Sequence, residues 1–121
     1  MSTRVLICDD SNLARKQVLR SLPENLSTDV QLAKDGQEAL DILRNQHIDI
    51  LLLDLTMPII DGLGVLQALK DEEINLPVFV ISADVQPEMQ NRVLALGAKA
   101  FLRKPMQLDT LNEHLKSHGF L

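Results

Sequence analysis

Five short apolar runs recur along the chain: Val5 to Cys8, Val30 to Ala33, Ile48 to Leu53, Val78 to Ile81 and Ala98 to Leu102. Three of them are nearly unbroken stretches of Val, Ile and Leu, the pattern of parallel strands covered on both faces. The segments between them have helical spacing. Ala14, Val18 and Leu22 fall on one face of a first helix that Pro23 ends, with Ser11 or Asp10 placed to cap its start. Asp35-Gly36-Gln37-Glu38, a variant capping box, opens a second helix carrying Ala39, Ile42 and Leu43. A third runs from about Gly64 to Lys70, with Val65, Leu66 and Leu69 apolar. A fourth has Pro87 in its first turn, Met89, Val93 and Leu96 at helical spacing, and Gly97 as its C-terminal cap. Leu108, Leu111 and Leu115 mark the last.

Five strands alternating with five helices through short connections predict an α/β fold, a doubly wound five-stranded parallel sheet. The expected strand order is 2-1-3-4-5, the flavodoxin-like arrangement. Neither a repeat nor a linker interrupts the pattern, so residues 1–121 read as one domain. At this length a chain buries roughly two-thirds of its unfolded surface without a disulfide or structural metal.

Composition narrows the function. The net charge of −5 and the absence of Trp and Tyr argue against direct nucleic-acid binding, which needs basic patches and stacking platforms. The single Cys8, inside an apolar run, reads as a buried reduced thiol. No apolar stretch approaches a membrane span, and Met1-Ser2-Thr3-Arg4 leads into a strand-like run too short for a signal peptide's apolar region; the expected location is cytoplasmic.

In such sheets ligands bind beyond the carboxyl ends of the strands, where the strand order reverses. The first run ends in Asp9-Asp10, the third in Asp54, the fourth in Ser82 and the fifth in Arg103-Lys104-Pro105. Three carboxylates, a hydroxyl and an ammonium should therefore meet. Carboxylates brought together repel, and a divalent cation relieves the repulsion; an all-oxygen set favours Mg²⁺, with Mn²⁺ the alternative, over zinc. Such a group suits phosphoryl transfer, which depends on positioning and charge neutralisation. Asp54, ending the central strand, is the expected nucleophile. Asp9 and Asp10 are expected metal ligands, Lys104 the facing positive charge and Ser82 the neutral donor. Asp61-Gly62 and Asp35-Gly36 read as turns, His47, His114 and His118 as surface residues, and Met57, Met89 and Met106 as packing or loop residues.

Taken together, Asp9-Asp10, Leu53-Asp54-Leu55-Thr56-Met57-Pro58, Asp61-Gly62, Ser82-Ala83 and Lys104-Pro105 resemble the receiver domains of two-component response regulators, the CheY-like family, across essentially the whole chain. The resemblance implies a signalling domain rather than a turnover enzyme, catalysing only its own phosphoryl transfer and dephosphorylation. It implies phosphorylation of Asp54 by a histidine kinase, a phosphotransfer protein or acetyl phosphate. Mg²⁺ would be held by Asp9, Asp10, Asp54 and the backbone carbonyl of Thr56. Ser82 and Phe101 would form the switch, Thr56 and Asp84 would flank the attacking water, and Lys104-Pro105 would be cis. The implied output surface is the fourth helix, fifth strand and fifth helix, met by an output domain, a target protein or a second copy in a phosphorylation-dependent homodimer. Departures are Ser82 where Thr is also common, Ile60 for a frequent Met, and Phe101 for Tyr.

Two other classes fit less well. A haloacid-dehalogenase type of phosphatase needs a second Asp where Thr56 stands. A flavin or nucleotide carrier needs a phosphate loop where Asp9-Asp10-Ser11-Asn12 is acidic. The chain reads equally as a stand-alone regulator or as the receiver of a longer protein.

Overall fold

A computed structural model of the chain describes residues 3–26, 29–83, 86–104 and 108–119. Five parallel strands form one sheet in the order β2-β1-β3-β4-β5, as expected: β1 (Val5–Cys8), β2 (Val30–Ala33), β3 (Ile50–Asp54), β4 (Val78–Ser82) and β5 (Ala100–Arg103). The helices are α1 (Asn12–Ser21), α2 (Gly36–Asn45), α3 (Gly62–Asp71), α4 (Pro87–Ala95) and α5 (Leu108–Ser117), with a short 3₁₀ turn at Glu24–Leu26.

Strand alternation divides the core into two layers. Val5, Ile7, Ile50, Leu52, Phe79 and Ile81 pack under α1 and α5, through Val18, Leu22, Leu111 and Leu115. Leu6, Leu51, Leu53 and Val80 pack under α2, α3 and α4, through Leu40, Leu66 and Val93. Both faces of the sheet are thereby covered, which is why β1, β3 and β4 contain almost no polar residue.

Where the observed elements differ from the apolar runs, local hydrogen bonds explain it. Ile48 is buried, but the ladder begins only at Ile50, because the Asp49 carboxylate turns back to accept from the Arg4 backbone N–H at 2.8 Å. Ala98 belongs to the end of α4: its N–H donates to the Val93 carbonyl and that of Gly97 to Leu94, a Schellman closure with Gly97 at φ 105°. Helix α3 starts at Gly62, two residues before the expected Gly64.

Side-chain hydrogen bonds identify the caps of the first three helices. Ser11, not Asp10, caps α1, accepting from the Ala14 N–H. Asp35 is the N-cap of α2, accepting from the Glu38 N–H as the capping-box reading expects, and Asp61, read above as a turn residue, is the N-cap of α3, accepting from the Gly64 N–H. His114 is half-buried rather than fully at the surface, and the exposed His118 ring packs edge-on against the buried Phe79, centroids 5.3 Å apart.

Gly36 is required by space. A Cβ there would overlap the carbonyl oxygen of Ile60, so the start of α2 and the β3–α3 loop lie backbone to backbone. A Cβ on Gly97 meets nothing within 4 Å; there only the positive φ resists a side chain. Gly36→Ala should therefore lower unfolding free energy by about 1–3 kcal/mol, as overpacking does. Gly97→Ala should cost about 1 kcal/mol through the backbone alone. Urea denaturation of both variants checks the order.

Candidate functional site

The carboxyl ends of β1, β3 and β5 bring the acidic and basic candidates together. Asp9 continues the β1 ladder, its N–H donating to the Ala33 carbonyl. Asp9 is only 3% exposed; its Oδ1 accepts from the Ser11 N–H at 2.9 Å and its Oδ2 from Lys104 Nζ at 2.7 Å. Asp54, the last residue of β3, is 5% exposed, with Oδ1 3.2 Å from the same ammonium. Asp10 is exposed beside them. One carboxylate oxygen from each of Asp9, Asp10 and Asp54 lies within 4.8 Å of the other two.

Sheet register delivers the remaining groups. Asp54 pairs with Ile81, so Ser82 stands one residue beyond it on β4. Ser82 pairs with Arg103 on β5, and its carbonyl accepts from the Lys104 N–H at 3.0 Å, which holds Lys104 at the mouth of the site. By alternation Ser82 shares its face with Val80, whose β5 partner is Phe101, and that face carries α4. Phe101 is half-buried against this layer. Thr56 is exposed on the β3–α3 loop. Asp84, Met106 and the Lys104–Pro105 bond lie outside the described residues.

The electrostatics are unbalanced. Burial, then the neighbouring charge of Asp9, holds the Asp54 carboxyl above its ordinary 3.8, against the attraction of Lys104. Burial works against the charge of Lys104, yet its bond to Asp9 and the charge of Asp54 keep it above the ordinary lysine value. Three carboxylates face one ammonium. This donor set, all oxygen and with negative charge in excess, fits a hard divalent cation such as Mg²⁺.

Sequence reasoning missed two features of the surroundings. Cys8 Sγ lies 3.2 Å from Met57 Sδ and 3.4 Å from the Asp35 carbonyl oxygen, pinning the β3–α3 loop from below. Burial and the charges of Asp35, Asp9 and Asp54 push this thiol up to about 12, so it stays protonated and inert. The second is Ile59, at φ 69°, with the Ile60 N–H donating to the Pro58 carbonyl at 2.8 Å. That is a γ-turn of the strained hand, costing a β-branched residue about 1–3 kcal/mol. Nothing in the run Pro58-Ile59-Ile60 signals it. A hollow of about 260 Å³ lies beside the site, between Thr56, Asp61 and Met89. A groove of about 550 Å³ at the opposite end of the sheet, between Leu66, Pro77 and Leu96, holds none of the acidic residues.

Comparison with known proteins agrees with this geometry. The model of the response regulator receiver domain matches residues 5–116, and the chain belongs to that family. It is thus a receiver domain of the two-component response-regulator class, a signalling domain. Response regulator MprA of Mycobacterium bovis is 38% identical over 119 residues, covering 97% of this chain and 50% of that protein, so the chain spans about half the length of the curated relatives it matches. Among solved structures, a chain of the CheX-CheY-BeF3-Mg+2 complex from Borrelia burgdorferi is 32% identical with a TM-score of 0.88, covering 96% of this chain and 88% of that one. The Francisella response regulator 1452 receiver domain is 30% identical with a TM-score of 0.83, covering 97% and 99%. Among the described residues no helix is long and apolar enough to cross a membrane.

The raised pKa of Asp54 has a consequence for stability. Above 3.8 the unfolded chain has released this proton while the native state retains it, so stability falls as pH rises through that interval. Once pH has risen past the native value, the metal-free protein carries the full penalty. Asp54→Asn should raise the urea midpoint at neutral pH without Mg²⁺, the advantage should shrink as pH approaches 3.8, and added Mg²⁺, binding wild type better, should narrow it.

Proposed function

We propose that Asp54 accepts the phosphoryl group in a signalling switch, from the phosphohistidine of a histidine kinase or phosphotransfer protein, or from acetyl phosphate. The observation that carries this reading is the buried Asp54 carboxylate at the end of the central strand, 3.2 Å from the Lys104 ammonium and flanked by Asp9 and Asp10. An Asp54 oxygen attacks phosphorus in line with the leaving group. The new bond is an acyl phosphate, and the P–N or P–O bond of the donor breaks, its electron pair leaving with the imidazole nitrogen or acetate oxygen.

Asp9, Asp10, Asp54 and the Thr56 backbone carbonyl would hold Mg²⁺, with Mn²⁺ able to replace it; the ion supplies charge neutralisation for the phosphoryl oxygens. Lys104 exchanges its contact with Asp54 for one with a phosphoryl oxygen. Its position is already fixed by the Ser82 carbonyl and Asp9, so little reorganisation accompanies the transfer. The Ser82 hydroxyl donates to another phosphoryl oxygen. Thr56, exposed at the mouth, would flank the water that later hydrolyses the acyl phosphate, together with Asp84.

The signal leaves through packing. Ser82 and Phe101 share one face of neighbouring strands, so movement of Ser82 toward the phosphoryl group opens space into which Phe101 turns. A contact that differs by about 1–3 kcal/mol between two states suffices to shift their populations usefully. The reporting surface is then α4, β5 and α5, for an output domain, a target protein or a second copy of this domain.

Incubation with Mg²⁺ and acetyl phosphate should add one phosphate to the intact protein by mass spectrometry, and Asp54→Asn should remain unlabelled. Asp9→Asn and Asp10→Asn should each weaken Mg²⁺ binding in calorimetry; labelling of Asp54→Asn at the wild-type rate would remove the assignment. Amide exchange with and without beryllofluoride should change within residues 86–104. Changes confined to α1 would place the output elsewhere.

A further inference from the structure

Ile59 is the feature that the phosphorylation reading leaves unexplained. Ile59 is 77% exposed, more than Leu13, Leu32 or Leu94, the other exposed large apolar residues among those described. Single exposed aliphatic residues are ordinary. A β-branched residue held at positive φ is not. Glu73, the other non-glycine residue at positive φ among the described residues, closes the C-terminus of α3, with the Ile74 N–H donating to the Leu69 carbonyl. Ile59 closes no helix.

The surrounding loop leaves it no freedom. The Gly62 N–H donates to the Leu55 carbonyl at 3.0 Å, tying the two ends of the loop together one residue after Asp54. Ile60 is pressed against Gly36, Met57 is buried against Cys8, and Asp61 caps α3. The chain therefore presents an aliphatic group at the tip of a rigid loop rooted at Asp54, in the backbone conformation that suits it least. Strain that persists at a site, with no packing to justify it, points to a function for the side chain.

We propose that Ile59 is a specificity-determining anchor for the macromolecular phosphodonor, entering an apolar depression beside the phosphohistidine of that protein. This rests on Asp54 being the acceptor. A protein that brings a phosphohistidine to Asp54 must cover the mouth of the site and the loop rooted there, whereas acetyl phosphate reaches Asp54 without touching Ile59. The anchor is already ordered, so docking loses little conformational entropy at this position.

The test compares two donors. Autophosphorylated histidine kinases are assayed as a panel, and the one that transfers fastest to wild type is used with wild type, Ile59→Gly, Ile59→Asn and Ile59→Leu. For Gly and Asn, kcat/KM of transfer should fall roughly ten- to a hundredfold, the factor expected from losing one buried aliphatic contact. Leu should restore most of it. Labelling by acetyl phosphate should be unchanged in all four proteins. Gly and Asn, which tolerate positive φ, should also raise the urea midpoint. Wild-type transfer to Ile59→Gly and Ile59→Asn, a lowered midpoint in both, or a wild type labelled by acetyl phosphate but by no kinase of the panel would each overturn the proposal. A wild type that acetyl phosphate fails to label would instead overturn Asp54 as acceptor.

Discussion

Like charges gathered at one edge of a parallel sheet are the constraint to which the rest of this structure responds. Asp9, Asp10 and Asp54 stand where two neighbouring strands end, and one of the three is buried enough to be held above the ordinary carboxylate range. A domain selected for stability alone would not place them there. Lys104 offsets part of the repulsion from the far strand, and the excess that remains suits a hard divalent cation. The fold therefore tolerates an excess of negative charge that a bound cation would relieve.

The two-layer core makes that repulsion tolerable. Leu52 and Leu53, immediately before Asp54, are fully buried in opposite layers, and Cys8 is buried immediately before Asp9. The strands cannot move apart to relieve the charges without exposing both layers. Side chains at the strand ends are thus held by the packing of residues just behind them. Ser82 and Phe101 lie on the same, helix-covered face of neighbouring strands, Phe101 paired with Val80 and Ser82 with Arg103.

Much of this was legible in the sequence because its signals are local and periodic. Unbroken runs such as Leu51-Leu52-Leu53 read as buried parallel strands, and the residue after each run marks the ligand-binding edge. The misreadings arose where one residue type serves two purposes. Ile48 and Ala98 are buried as strand residues are, but belong to a turn and a helix end. Asp61, followed by glycine, looked like a turn because glycine in the first turn of a helix obscures its start, whereas the Glu38 three residues after Asp35 left the start of α2 legible. The Ile59 backbone and the Cys8–Met57 contact depend on loop closure between distant segments, which no periodicity records.

The ion pair between Lys104 and Asp9 joins residues 95 positions apart, nearly the whole length of the chain. A ribosome delivers the carboxylates first and the ammonium last. A nascent chain that has emerged only through β4 holds the acidic cluster without its counter-charge, and its outer strand β5 is still unmade. Among the described residues, Lys104 is the cation within ion-pair distance of Asp9 and Asp54, so until it is made these carboxylates stand without that partner. Charge balance at this edge of the sheet is in this way coupled to completion of β5 and the residue that follows it.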